Sequence, residues 1–298
     1  MSFDLIKHKY WFLGFSGALV LLSLVAVAMF GLRAGIDLRG GAQWEISFYG
    51  TVPTEGAVQA ALQGAGARGV SVKHEEENTF LIRLPTIDEP MHAAYAEVLK
   101  KLGDLEEKNF ASIGPTIGAE LRTRAIWAIV LVLLGISLYV AWAFRKVTVP
   151  VASWKYGLVT LFTLFHDVAI PVGFLAVLGR WQGIEIDTNF IVALLVVMGF
   201  SVHDTIVVFD RIRENLLLAK GKRFSFGDLI NQSVRETFAR SVNTSLTLII
   251  VLIALLAVGP PSLFYFVLTI LVGTVFGTYS SIFVASPLLY LWGRKAAP

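Results

Sequence analysis

The stretch TNFIVALLVVMGFSVHDTIVVF, residues 188–209, carries only two ionisable side chains, His203 and Asp204. A helix needs about 20 apolar residues, at about 1.5 Å each, to cross roughly 30 Å of bilayer hydrocarbon. Residues 188–209 meet that length and read as a membrane span. The same criterion picks out others on both sides. Toward the N-terminus, Tyr10–Phe30 follows Lys7, His8 and Lys9, and Ala125–Phe144 follows Arg122 and Arg124. Tyr156–Leu178 is broken only by His166, Asp167 and Pro171. Toward the C-terminus, the short Val242–Val258 stops at Gly259-Pro260-Pro261, and Leu263–Ala285 ends near Pro287. The pattern is one span, a polar region of about ninety residues, and five spans in close succession.

Composition agrees. Of the 298 residues, 55% are hydrophobic and 16% charged, with a mean hydropathy of +0.68. A soluble domain usually carries about 25% charged residues to cover itself. The absence of cysteine excludes disulfide scaffolds, thiolate metal sites, iron–sulfur clusters and cysteine nucleophiles. Ala26-Val27-Ala28 resembles a signal-peptide cleavage site, but the apolar run before it exceeds the about 7–15 residues of a signal core. The first span is expected to remain as an anchor.

Lys and Arg in short loops set the orientation. A cytoplasmic N-terminus puts Lys7, Lys9, Arg145, Lys146, Lys155, Arg294, Lys295 and the seven basic residues from Arg211 to Arg240 inside, more than half of the chain's 25. Both termini are then cytoplasmic, and the polar region lies outside. The formal charge of +3 belongs to the inner face and requires no nucleic acid. Three parts result: residues 1–32, the N-terminus and first span; residues 33–121, a periplasmic domain; and residues 122–298, a five-span bundle with a cytoplasmic loop at 210–240. That loop is amphipathic, with Ser225 and Asp228 placed to cap a short helix, and its basic residues suit a solvated surface or membrane lipid.

Within the outer region, Ala42–Tyr49 alternates like a half-buried strand. Thr54–Gln63 reads as a helix capped by Thr54, Gly69–Lys73 and Thr79–Leu84 as strands joined around Glu75–Asn78, Glu89–Leu102 as a second helix, and Leu105–Ile113 as a last strand. This βαββαβ order is that of a ferredoxin-like split βαβ unit. The fold class is thus a polytopic α-helical membrane protein with six transmembrane helices and one small α+β domain. The outer domain has no catalytic, metal-binding or phosphate-cradling pattern. Such a sheet suits binding or movement, and no enzyme activity is expected.

Ionisable groups inside spans cost at least about 2.5–3.5 kcal/mol at the bilayer centre, so they persist where paired or useful. Thr160, Thr163 and Asp167 share one face of the third span, and Ser201, Asp204 and Thr205 one face of the fourth. Arg240, Asn243, Thr244 and Thr247 form a stripe on the fifth. Lipid cannot satisfy these groups, so the stripes are expected to face one another. Burial makes a carboxyl hold its proton and a nearby cation makes it let go. An aspartate moving between water and Arg240 would load and release a proton, which marks Asp204, Arg240 and Asp167 as a relay with protons as coupling ion and no other cofactor. The other reading is a structural buried ion pair. His166 and His203 each precede an aspartate and so point about 100° away from it; they are read as helix-contact or membrane-facing residues, not a metal pair. The Gly-x-Gly-Asp signature of intramembrane aspartyl proteases is missing. Gly273 and Gly277, followed by Ser280 and Ser281, form a close-packing face on the last span.

Several strings resemble the SecD/SecF protein-export family. Gly35-Ile36-Asp37-Leu38-Arg39-Gly40-Gly41 resembles its signature, with Gly35, Ile36, Asp37, Gly40 and Gly41 as the matching positions. Further blocks are Ile113-Gly114-Pro115, His166-Asp167, residues 199–205, 209–215 and 240–245, and Gly277-Thr278-Tyr279-Ser280-Ser281. One outer domain of this size resembles the SecF branch, the outer domain of SecD being larger. The resemblance implies an RND-superfamily subunit in the bacterial inner membrane that pairs with SecD, works with the SecYEG channel and with YajC, and uses the proton-motive force to pull or release translocating polypeptide. It also implies that Asp204 and Arg240 take part in proton flow. Where the family often has Asn and Thr, this chain has His203 and Ser241. A scaffold without its own relay, and an RND-type exporter of small molecules or lipids, are the alternatives.

Overall fold

A computed structural model describes residues 4–76, 78–145, 150–220 and 223–293. Of the basic residues that orient the chain, Lys146, Lys222, Arg294 and Lys295 lie outside the described residues, as does Glu77 of the turn expected at 75–78. The chain divides into two compact units, one of Ala34–Ile126 and the other of Met1–Arg33 with Trp127–Pro298.

Helix α1 (Lys9–Phe30) opens the chain. In the smaller unit, α2 (Ile36–Arg39) leads into β1 (Gly41–Tyr49), α3 (Glu55–Gly64), β2 (Ser71–Glu76), β3 (Thr79–Leu84), α4 (Glu89–Lys100) and β4 (Asp104–Ile113). The four strands are ordered β2-β3-β1-β4 and every neighbouring pair is antiparallel. That is the outline a split βαβ unit produces, since each crossover helix skips one strand. The alternation read at Ala42–Tyr49 puts Ala42, Trp44, Ile46 and Phe48 at 0% exposure. They pack with Val58 and Leu62 of α3 and Tyr95 and Leu99 of α4. Thr54 caps α3, accepting from the Ala57 N–H at 3.2 Å, and Asp88 caps α4, accepting from Met91 at 3.0 Å.

Gly40, at φ +84, lies so close to the start of the next helix that a Cβ there would stand 2.7 Å from Pro115 Cα. A Cβ on Gly118 would meet the Gly40 nitrogen at 2.5 Å. Gly40 and the start of the helix at Pro115 are therefore two sides of one backbone contact, which accounts for glycine at 40 and 118 without a ligand.

The larger unit contains α5 (Pro115–Ala143, begun in the smaller one), α6 (Ser153–Gln182), α7 (Thr188–Leu218) and α8 (Phe226–Val258). A 3-10 turn at Pro261–Leu263 opens the last span, α9 (Phe264–Ser280), which passes through a π turn at Ser281–Ala285 into α10 (Ser286–Gly293). Among the described residues, six helical segments are long and apolar enough to cross a membrane. Helices α6, α7 and α9 form the centre; α1 packs against α6, and α8 against α7 and α9. Helix α5 turns Trp127, Leu131, Leu138 and Trp142 outward, and α8 does so with Ile250, Val251 and Ile253.

One expectation is corrected. The loop read at 210–240 is mostly helix. Helix α7 continues to Leu218, and the helix opened by Ser225, which accepts from the Asp228 N–H at 3.4 Å, runs unbroken to Val258. Between Asp228 and Val258 there is neither glycine nor proline. Polar composition marks where a helix leaves hydrocarbon; it does not stop the helix.

Outside the apolar stretches, the N-terminal residues tie α1 to α8. Asn231 accepts from the Ile6 N–H at 3.1 Å and donates to Asp4 at 2.7 Å. The Lys7 N–H, and then Asn231, hold the Asp4 carboxyl below its ordinary value.

Candidate functional site

Among the described residues, two buried carboxylates lie among the central helices, each met by serine hydroxyls of its own: two at Asp167 and one at Asp204. Asp167, on α6, has 0% exposure. Its Oδ2 accepts from Ser201 of α7 and, at 2.8 Å, from Ser280 of α9, while Oδ1 lies 2.7 Å from His166 Nδ1. Three donors from three helices converge on this one group. The backbone around it departs from regular helix twice. Pro171 lacks the N–H that would bond the Asp167 carbonyl four residues earlier, and the π turn begins immediately after Ser280. Such turns are frequent at functional sites.

Asp204, on α7, is 1% exposed and more loosely held. Its one hydrogen bond among the described residues comes from Ser245 of α8, at 3.2 Å. That hydroxyl has one proton, and the Ser241 carbonyl competes for it at 2.8 Å. Ser245 in turn accepts from Thr278 of α9 at 2.6 Å. Asp204 therefore sits where α7, α8 and α9 meet, with one weak and shared donor.

Small residues bring the helices this close. A Cβ on Gly277 would stand 3.0 Å from Ser201 Cβ, and one on Gly273 would collide with Val197. The close-packing face read on the last span thus docks against α7, at the height of Ser201.

The remaining candidates fall into three groups. Thr160, Thr163 and Thr205 are buried, but their hydroxyls bond back to carbonyls of their own helices, at 2.9 Å to Tyr156, 3.0 Å to Thr160 and 3.2 Å to Ser201. They fill polar space without reaching a carboxylate. Arg240, Asn243, Thr244 and Thr247 share one face of α8 as read, but that face is exposed. The inward stripe of α8 is Ser233, Thr237, Ser241 and Ser245, spaced by four. Both stripes are polar and helical in period; serine's smaller volume decides which one packs against α7 and α9. Among the described residues Asp204 and Arg240 form no ion pair. The signature residues Gly35, Ile36, Asp37, Gly40 and Gly41 belong to the smaller unit, and of them Gly40 makes the backbone contact described above.

His166 is the clearest departure from expectation. It is 4% exposed and bonds its own neighbour Asp167 instead of pointing away. The 100° rule describes Cβ directions, and both side chains are long enough to turn toward each other. His203 is exposed. Sequence reasoning also passed over Ser245, Ser280 and Thr278 as donors. The four-residue spacing of Ser233, Thr237, Ser241 and Ser245 was the available signal for the first.

Where the chain continues past the apolar part of α7, an ionic cluster joins it to α8. Arg211 donates to Glu236 and to Glu214, both at 2.6 Å, and Asn215 donates to Glu236 and Ser233, both at 2.9 Å.

A family profile described as "Protein export membrane protein SecD/SecF, C-terminal" matches residues 94–295. Among curated relatives, "Protein translocase subunit SecF" of Thermobaculum terrenum is 44% identical over 98% of this chain and 94% of its own length. The protein of the same description from Synechocystis is 33% identical over 100% of this chain and 96% of its own. Among solved structures, SecDF of Thermus thermophilus, described as a translocon-associated membrane protein, superposes with a TM-score of 0.83 at 30% identity over 98% of this chain. SecDF in a "Super-membrane-facing form" superposes at 0.70, also with 30% identity. The chain spans 39% of the length of each of those SecDF chains.

Proposed function

The chain belongs to the SecD/SecF family of protein export membrane proteins, and from that membership we propose that it is the SecF-type half of a proton-driven device for protein export. In this reading the termini are cytoplasmic and residues 33–121 lie in the periplasm of a bacterial inner membrane. SecD packs alongside, SecYEG supplies the channel, and YajC joins the assembly. Protons entering from outside reach Asp204, and the outer domain moves on the translocating polypeptide.

The supporting observation is the difference between the two aspartates. Asp167 is fixed by three donors, whereas Asp204 has one shared donor at 3.2 Å. A carboxyl that must gain and lose a proton each cycle cannot be locked by partners that favour one form. A group that changes charge also biases whichever helix arrangement solvates that charge better. In this reading the exposed stripe of Arg240, Asn243, Thr244 and Thr247 is covered by SecD. Lipid leaves such groups unsatisfied, and Arg240 reaches Asp204 only when α8 shifts against α7. This is a positional change of the pair, in place of the fixed ion pair read from spacing.

The test replaces Asp204 by asparagine, which preserves volume and an acceptor for Ser245. The variant is expected to assemble with SecD and to lose the part of export that depends on the pH gradient. In vesicles carrying SecYEG, export is measured with and without that gradient. Full gradient stimulation in Asp204→Asn refutes the relay; loss of assembly favours a scaffold role.

A further inference from the structure

Resting on the proton-coupled reading, we infer that His166 is a second proton-carrying residue of this chain, with Nε2 the atom that takes the proton and Asp167 its fixed counter-charge.

The geometry is one-sided. His166 Nδ1 faces Asp167 Oδ1 at 2.7 Å; with Asp167 as the carboxylate, which can only accept, the ring nitrogen on that side is assigned as the N–H donor. Its Nε2 then carries a lone pair, and this atom is buried with no hydrogen-bond partner among the described residues. Burying a polar atom unpaired costs free energy. An imidazole retained in that state inside a membrane, oriented by a carboxylate, has its basic nitrogen free for a proton. The Ser201 and Ser280 hydroxyls occupy Asp167 Oδ2, which holds the carboxylate in place while the ring changes state.

The proton balance is simple. One proton adds to Nε2, Nδ1–H stays on Asp167, and the imidazolium formed is neutralised by that carboxylate. Release restores the neutral ring. No other group has to change charge.

Few titratable groups compete. Helix α1, against which α6 packs, has none between Trp11 and Phe30. Helix α9 presents Tyr279, whose ring stacks near His166 at 6.4 Å between centroids and whose hydroxyl bonds the Phe12 carbonyl at 3.3 Å. Helix α10 offers Tyr290, and the π turn offers none. Helix α7 contributes Ser201 to the cluster, with Asp204 and the exposed His203 a turn further on. The imidazole therefore stands against Tyr279 of α9, while Asp204 stands between α7, α8 and α9. These are two separate stations that share α9.

Two measurements test this. In the full chain, with histidine ring nitrogens labelled, the His166 resonance is assigned by its loss in His166→Asn and followed between about pH 5 and 8. Proton uptake at Nε2 with Nδ1–H retained is expected. A ring that keeps one protonation state across that range overturns the inference. In the vesicle assay, His166→Asn keeps a donor toward Asp167 but has no titratable atom, and it is expected to lose gradient stimulation. Asp204→Asn is run beside it. If Asp204→Asn loses stimulation while His166→Asn keeps it, His166 is structural and the inference falls alone. If both keep it, the proton-coupled reading falls as well.

Discussion

Alanine at position 167 would leave the Ser201 hydroxyl and His166 Nδ1–H facing the space where two carboxylate oxygens had been. Ser280 fares better, because the Gly277 carbonyl lies 3.1 Å from its hydroxyl and can take over. Two donors are then orphaned. In water-soluble proteins each would cost about 1–3 kcal/mol. Between membrane helices, measured hydrogen bonds average about 0.6 kcal/mol and reach about 1.7, since separated helices find other partners. The smaller scale governs the Ser201 bond, which joins α6 to α7. The His166 bond lies within one helix and is lost without any compensation from separation. With the void left by the carboxyl, the sum for Asp167→Ala is roughly 2–4 kcal/mol.

Asparagine separates the contributions. It keeps the volume and one acceptor oxygen, and the hydroxyls can rotate to accept from its amide. Asp167→Asn should therefore cost under about 1 kcal/mol. Reversible unfolding of the full chain in mixed detergent micelles, followed by circular dichroism, measures both variants against the parent. Equal losses for the two, or an alanine variant within about 1 kcal/mol of the parent, would show that the bonds drawn to Asp167 do not hold α6, α7 and α9 together.

Two further outcomes follow from the packing and the N-terminal tie. Gly277→Val should push α9 away from Ser201, which a Cβ would approach to 3.0 Å, and cost about 1–3 kcal/mol in the same assay; Gly199→Ala, with nothing within 4 Å of its Cβ, is the control expected to cost little. For Asp4 the sign runs from its lowered folded value: the bonded carboxylate stabilises the N-terminal tie above the ordinary value of 3.8, and that contribution is lost as pH falls through the folded value. Proteolytic release of residues before α1 should rise at low pH in the parent and stay flat in Asp4→Asn; a flat parent profile would remove Asp4 from the tie.

The features readable in advance were those set by local periodicity. A run such as residues 188–209 has one stable answer in a bilayer, and the alternation at Ala42–Tyr49 puts Trp44 and Phe48 on one face whatever surrounds them. The spans, the strands and the cap at Thr54 all belong to this class. What escaped was set by neighbours. The rotation of α8 depends on the surfaces of α7 and α9, and Arg240-x-x-Asn243-Thr244 and Ser241-x-x-x-Ser245 are both regular stripes. The His166–Asp167 bond depends on rotamers that only the packing against α7 and α9 selects. The length of α8 was missed because its first part is polar, and polarity was read as loop.

The same side chains that let these helices approach also solvate the charges between them. Lipid tails are as apolar as leucine, so membrane helices gain little by burying apolar surface against one another and rely on close contact between small residues. Glycine, serine and threonine provide that contact at Gly273, Gly277, Ser201, Ser245 and Thr278. Once backbones are that near, a serine hydroxyl from the next helix comes within 2.8–3.2 Å of a carboxylate. An aspartate can then be buried without a permanent cation beside it, and Arg240 is left on the outer face of α8, where it remains available to a partner. Spacing alone pointed to a charge pair because it counts charges. Packing replaces the pair with hydroxyls, from Ser201 and Ser280 at Asp167 and from Ser245 at Asp204.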